Sequence, residues 1–149
     1  MKRIFFILCS ALFFLSCNQS ANQKTPVENS THDTHETTEL TLNNGAKWQA
    51  DTMTNRHLIS IKTMANMFKV APFPAVEKYQ ILGSDIQAGL NSMIQDCTLK
   101  GAPDEALHKW MLPILHQAGE LKNVTDTAIA KPIFDSLDQR INIYYDYFE

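Results

Sequence analysis

The chain has 149 residues, of which 44% are hydrophobic and 19% charged, with 13 Lys+Arg against 16 Asp+Glu. That length suits one domain, and a net charge of −3 offers no basic surface for nonspecific binding of nucleic acid. Five glycines, six prolines and three cysteines are too few for a collagen-like, low-complexity or disulfide-stapled chain.

Met1-Lys2-Arg3 is a basic start, and Ile4 to Leu15 is apolar apart from Ser10. This run is too short to span a bilayer as a mature helix and fits the apolar core of an export signal. It closes on Phe14-Leu15-Ser16-Cys17, which resembles the lipobox of bacterial lipoproteins but has Phe14 where that family usually has Leu. The resemblance implies that residues 1–16 are a lipoprotein signal peptide and that Cys17 is the site of lipidation, acylated on its thiol and amine. An ordinary signal peptide with an incidental cysteine is the alternative. Loss of Lys2 and Arg3 takes the charge from −3 to −5, so acyl chains rather than basic residues would hold the protein to its membrane. Asn18 after the cysteine resembles a non-retained sorting signal and implies an outer-membrane position facing the periplasm.

Residues 17–39 are polar, and such a segment buries too little apolar surface to offset its ordering entropy. It is expected to be a disordered tether. Thr31-His32-Asp33-Thr34-His35-Glu36 lies within it and suits weak chelation of a divalent metal or, more simply, a solvated linker.

The domain is expected over residues 40–149. Leu42-Asn43-Asn44-Gly45 carries an Asn-Gly turn signal leading to Trp48. Met53, His57, Met64 and Phe68 share one helical stripe with Ile61 beside it, and Pro72 and Pro74 end that helix. Tyr79, Leu82, Ile86, Leu90, Met93 and Cys97 recur at steps of three and four, with Gly101 as the stop. Pro103 suits the start of a third helix, with Asp104 and Glu105 at its positive end. Its face is Leu107, Trp110, Met111, Ile114 and Leu115, and Pro113 should kink it. A fourth helix begins near Thr125-Asp126 and runs to the end with Ile133, Leu137, Ile141, Tyr144 and Phe148 on its stripe; Pro132 should make its first turns irregular. Four amphipathic helices with short connections predict an all-α, up-down-up-down four-helix bundle.

Leu42-Asn43-Asn44-Gly45-Ala46-Lys47-Trp48, Cys97-Thr98-Leu99-Lys100-Gly101, Leu107-His108-Lys109-Trp110 and the closing Tyr144, Tyr147 and Phe148 resemble a group of small exported helical proteins of Bacteroidota-type bacteria. The resemblance covers roughly residues 40–149 and implies no particular activity. In that group histidine often stands where this chain has Asp104 and Tyr145, so the resemblance implies a poorer set of metal ligands here.

Among side chains that carry chemistry, Asp104 and His108 are four apart on one helix face, and the preceding turn can bring Cys97 to them. Thiolate, carboxylate and imidazole suit zinc or copper, with His57 as a fourth ligand. The alternative makes Cys97 a small core hydrophobe, Asp104 a helix-start charge and His57 and His108 residues at the core edge. Haem is disfavoured because His57 and Met64 lie on the same helix, and packing explains Met53, Met64, Met93 and Met111. No nucleophile elbow, glycine-rich phosphate loop or paired-carboxylate motif is present. The expected function is therefore a non-enzymatic, lipid-anchored module of the cell envelope that binds an envelope protein or a small ligand. A metal-binding or metal-stress protein and a small thiol-redox protein or enzyme are the alternatives.

Overall fold

A computed structural model of the chain describes residues 39–72 and 74–149. The expected signal peptide, Cys17 and the tether up to residue 38 lie outside them. Within them the fold is the expected all-α bundle: α1 (Thr52–Lys69), α2 (Val76–Asp96), α3 (Ala102–Lys122) and α4 (Thr127–Asn142), then the single-turn α5 (Tyr144–Tyr147). No helix among the described residues is long and apolar enough to cross a membrane.

Cross-helix pairs fix the antiparallel order. His57 near the start of α1 meets Asp96 at the end of α2, and Gln80 near the start of α2 donates to the Val124 carbonyl just past α3. Gln117 and Ser136 then join α3 to α4. One end of the bundle thus gathers the start of α1, the end of α2, the start of α3 and the end of α4. The other gathers the opposite termini.

The core is a continuous apolar cluster running through all five helices, with Leu58, Ile61, Ile86, Leu90, Trp110, Ile114, Leu137 and Tyr144 fully enclosed. On α1 its line is one position away from the expected stripe. Thr54, Leu58, Ile61 and Ala65 are buried, while Met53, His57, Met64 and Phe68 flank them half-buried. The reason is close helix approach. A Cβ on Gly89 of α2 would stand 3.0 Å from Ile61 Cγ1, so the small Thr54 and Ala65 face inward and the long side chains wrap the edges.

Approach is closer still between α2 and α3. A Cβ on Gly83 would lie 2.6 Å from both the Ala118 carbonyl oxygen and the Lys122 nitrogen, so Gly83 lets the two backbones touch.

Two helix ends differ from expectation. α2 stops at Asp96 rather than at Gly101; Cys97 is its extended C-cap, and Gly101, at φ +64°, instead makes the left-handed bend before α3. α3 is assigned as one helix with Pro113 inside it, and α4 as one helix from Thr127 with Pro132 inside it. α4 ends at Asn142 instead of running on. Tyr144 is buried from the separate last turn, and Phe148 from the position just after that turn. The break leaves carbonyls of the last α4 turn without helical partners. The indole of the enclosed Trp110 donates to one of them, Arg140 O, at 2.9 Å.

The Asn-Gly turn forms as expected. Asn43 and Ala46 exchange two 2.9 Å hydrogen bonds while Asn44 and Gly45 take φ of +51° and +89°, the signs of a type I′ turn. Beyond it, Trp48 pairs in parallel with Phe148. Trp48 N donates to Tyr147 O, Glu149 N to Trp48 O, and Ala50 N to Glu149 O. Lys47 also donates to Tyr145 O.

Candidate functional site

The end of the bundle that holds Cys97 is organised by Asp51, the N-cap of α1. One carboxylate oxygen accepts from Thr54 N at 2.7 Å, and the other accepts from both Thr98 N and Thr98 Oγ1, at 2.7 and 2.8 Å. Partial burial opposes the charge on Asp51. These donors outweigh it and hold the carboxyl at about 2, well below its ordinary range. The α2–α3 connection is therefore tied to the start of α1, which places Cys97 at the bundle end.

Three of the four expected ligands meet there. Cys97 Sγ lies 3.9 Å from Asp104 Oδ1, and His108 Nδ1 lies 3.6 Å from the same oxygen. The imidazole is already engaged, since Nδ1–H donates to the Asp104 backbone carbonyl at 2.9 Å. His57 does not join them; its Nε2 is 2.8 Å from Asp96 Oδ2. Among the described residues no three His, Cys, Asp or Glu side chains form a group able to hold a metal ion as they stand. Nearby, the buried Tyr144 donates to Asn55 Oδ1 at 3.0 Å and packs against Trp110 and Phe148. Burial first, then Tyr145, Asp51 and Cys97, push its phenol above the ordinary range, so Tyr144 stays a neutral donor.

The opposite end carries an open groove of about 840 Å³ between the end of α1 and the starts of α2 and α4. Its floor is aromatic. Phe68 packs against Tyr79 and Phe134 at centroid distances of 4.8 and 4.9 Å, and Tyr79 and Phe134 are almost wholly buried. Ala75 and Ala128 border it as exposed small residues, and Lys69, Lys131 and Asp135 supply its charges.

No family model, curated protein or solved structure matches the chain. Chemistry must therefore be read from the side chains themselves.

Sequence reasoning missed the groove and the Asp51 clamp. Half of the clamp had a local signal, because Asp51 with Thr54 three residues later, at the head of an apolar stripe, has the form of a helix N-cap. The groove had none, since its floor adds Phe134 of α4 to Phe68 and Tyr79 of α1 and α2, and no local window spans them.

Proposed function

We propose that the chain is a non-enzymatic binding module of the bacterial cell envelope, held to a membrane by lipid on Cys17, which binds its ligand in the groove between α1, α2 and α4. The observation that carries the reading is the groove. Its size falls in the range of ligand sites, roughly 300–1,000 Å³, and its lining is mostly apolar with a few charges at the edge, as such sites usually are. The lipobox-like Leu15-Ser16-Cys17, the polar tether and the resemblance of residues 40–149 to small exported proteins support the envelope half of the reading. A tether keeps a binding module concentrated near its membrane.

Two experiments test it. Cys17→Ser should release the protein from membranes or leave the precursor uncut, and a variant processed normally and still membrane-bound would reject the anchor. A thermal-shift screen over apolar, anionic and cationic small molecules should find at least one class that stabilises the wild type and not Ala128→Trp, whose indole fills the groove from an exposed position. A screen without such a class would reject the groove.

A second reading, zinc or copper at the Cys97 end, has one observation in its favour: thiol, carboxylate and imidazole follow one another at 3.9 and 3.6 Å. To enclose an ion, His108 must give up or redirect its bond to the Asp104 carbonyl. Calorimetric titration with zinc and copper(II) separates the readings. Binding tighter than about 10 μM, lost in both Cys97→Ala and His108→Ala, would establish the metal site; no binding would remove it.

A further inference from the structure

We propose that Asn44 is a site of spontaneous deamidation, converted by the backbone nitrogen of Gly45 and by water into a mixture of aspartate and isoaspartate.

The reaction is intramolecular. The Gly45 nitrogen attacks Asn44 Cγ, and the new C–N bond closes a five-membered succinimide ring. The Cγ–Nδ2 bond breaks, and the leaving amine departs as ammonia with the proton of the Gly45 amide. Water then opens the ring at one of its two carbonyls. Opening at Cγ leaves aspartate in a normal chain. Opening at the main-chain carbonyl leaves isoaspartate, whose backbone runs through Cγ and is longer by one methylene. No atom is oxidised or reduced.

The local geometry favours Asn44 over other asparagines. The chain has a single Asn-Gly pair, and glycine has no Cβ to shield the attacking nitrogen. Even a Cβ built on Gly45 would meet nothing within 4 Å, so no neighbour crowds that nitrogen. The two hydrogen bonds of the turn use the N–H groups of Asn43 and Ala46 and leave Gly45 N out. The Asn44 amide is weakly held, since its Nδ2 lies 3.5 Å from Asn43 Oδ1, long for a hydrogen bond. Ring closure follows a brief opening of the turn. Residues 41–47 are all exposed, which puts that opening at the low end of local unfolding free energies. Asn91 is the contrast. It is exposed and precedes Ser92, but it lies inside α2, where each N–H bonds the carbonyl four residues back.

The turn also anchors the segment that pairs with the end of the chain. Trp48 Nε1 reaches across it to Thr41 O at 2.7 Å, while Trp48 N and O pair with Tyr147 and Glu149. An extra methylene between Asn44 and Gly45 moves Asn43 and Ala46 out of opposition, and the indole's acceptor moves with them. Either product adds a carboxylate, which takes the formal charge from −3 to −4. Aspartate suits this turn as asparagine does, so isoaspartate is the product that loosens Trp48.

The test ages the full-length protein and a synthetic peptide of residues 41–49 side by side in mildly alkaline buffer. Peptide mapping by mass spectrometry reads replacement of NH2 by OH at each asparagine. Asn44 should convert in both, about tenfold more slowly in the protein, which must first open the turn. Asn91 should stay intact. Trp48→Ala removes the bond across the turn and should bring the rate in the protein up towards that of the peptide. Aged wild type should show red-shifted tryptophan emission, because the half-buried Trp48 gains water while Trp110 is sealed in the core. Asn44→Gly keeps a turn of the same type and should show neither the mass change nor the shift. An Asn44 that stays intact in the protein would overturn the proposal, whether or not the peptide converts. Equal conversion at Asn91 would overturn it too, because exposure alone would then decide the site. Unchanged emission in a sample rich in isoaspartate, or an unchanged rate in Trp48→Ala, would overturn the coupling of Asn44 to Trp48.

Discussion

Asp51 and Thr98 stand 47 residues apart in sequence, yet the Thr98 N–H and hydroxyl converge on a single oxygen of the Asp51 carboxylate. The other oxygen of that carboxylate caps α1, so one side chain joins a helix start to the connection between two other helices.

Replacing Asp51 with Ala should cost about 1–2 kcal/mol at neutral pH, the upper range for loss of an N-cap, because donors of the α2–α3 connection lose their acceptor too. The effect should depend on pH. The carboxyl is lowered from 3.8 to about 2 in the folded protein, so the charged form favours folding. Its stabilisation is complete above the ordinary value and is lost as pH falls from about 4 to about 2. Urea denaturation at pH 7 and near pH 2 should show the gap between wild type and Asp51→Ala closing at the lower pH.

Gly83→Ala and Gly119→Ala should move stability in opposite directions. Alanine is favoured over glycine in a helix by about 1 kcal/mol. At Gly119 an added Cβ meets only the Gln87 amide nitrogen at 4.0 Å, so that gain should appear largely intact. At Gly83 the Cβ would press on the α3 backbone at 2.6 Å, which cannot give way like a flexible side chain. A net loss of roughly 1–3 kcal/mol is expected from overpacking. Thermal unfolding of the two variants, measured side by side, checks this.

Phe148→Ala should be among the most damaging single changes, at about 3–5 kcal/mol, because it empties an enclosed ring site. Phe148 is 1% exposed and stacks on Tyr144 at 4.7 Å. Glu149→Ala keeps the backbone bonds and removes only the carboxylate that accepts from Gln49 at 2.5 Å, so it should cost under about 1 kcal/mol. Equal losses in chemical denaturation would mean that the side-chain contact of Glu149, rather than the Phe148 ring, closes that end.

Trp110→Phe should cost about 1–3 kcal/mol although the replacement remains aromatic. The indole N–H satisfies the Arg140 carbonyl where α4 ends, and phenylalanine leaves that part-buried acceptor without its donor. A loss below about 0.5 kcal/mol in chemical denaturation would show that the carbonyl finds another donor.

The number of helices, their order and most of their inward faces were legible from apolar spacing. Tyr79, Leu82, Ile86, Leu90 and Met93 line the core where the three-and-four rhythm puts them. Periodicity failed where backbone proximity decides. On α1 the most hydrophobic stripe holds Met53 and Met64, but close packing selects the neighbouring line with Thr54 and Ala65. The early end of α2 and the break after Asn142 depend on partners elsewhere, Asp51 for Thr98 and Trp110 for Arg140 O, which no local window contains. Within the candidate ligand set, the i, i+4 spacing brought Asp104 and His108 together. Spacing could not reveal that Asp96 holds His57.

The parallel pairing of Trp48 with Phe148 joins segments from almost the two extremes of the described chain. Loop-closure entropy rises only slowly with length, but contacts so distant in sequence are slow to find and tend to form late. The hairpin of α2 and α3 needs only a short connection and is free to form early. The chain has two tryptophans, and they fall on opposite sides of this divide. Trp110 sits sealed in the core, while Trp48 is half-buried in the closing strap. The protein thus carries two native clocks: Trp110 emission marks collapse of the helices, and Trp48 emission marks the moment the two bridged segments meet.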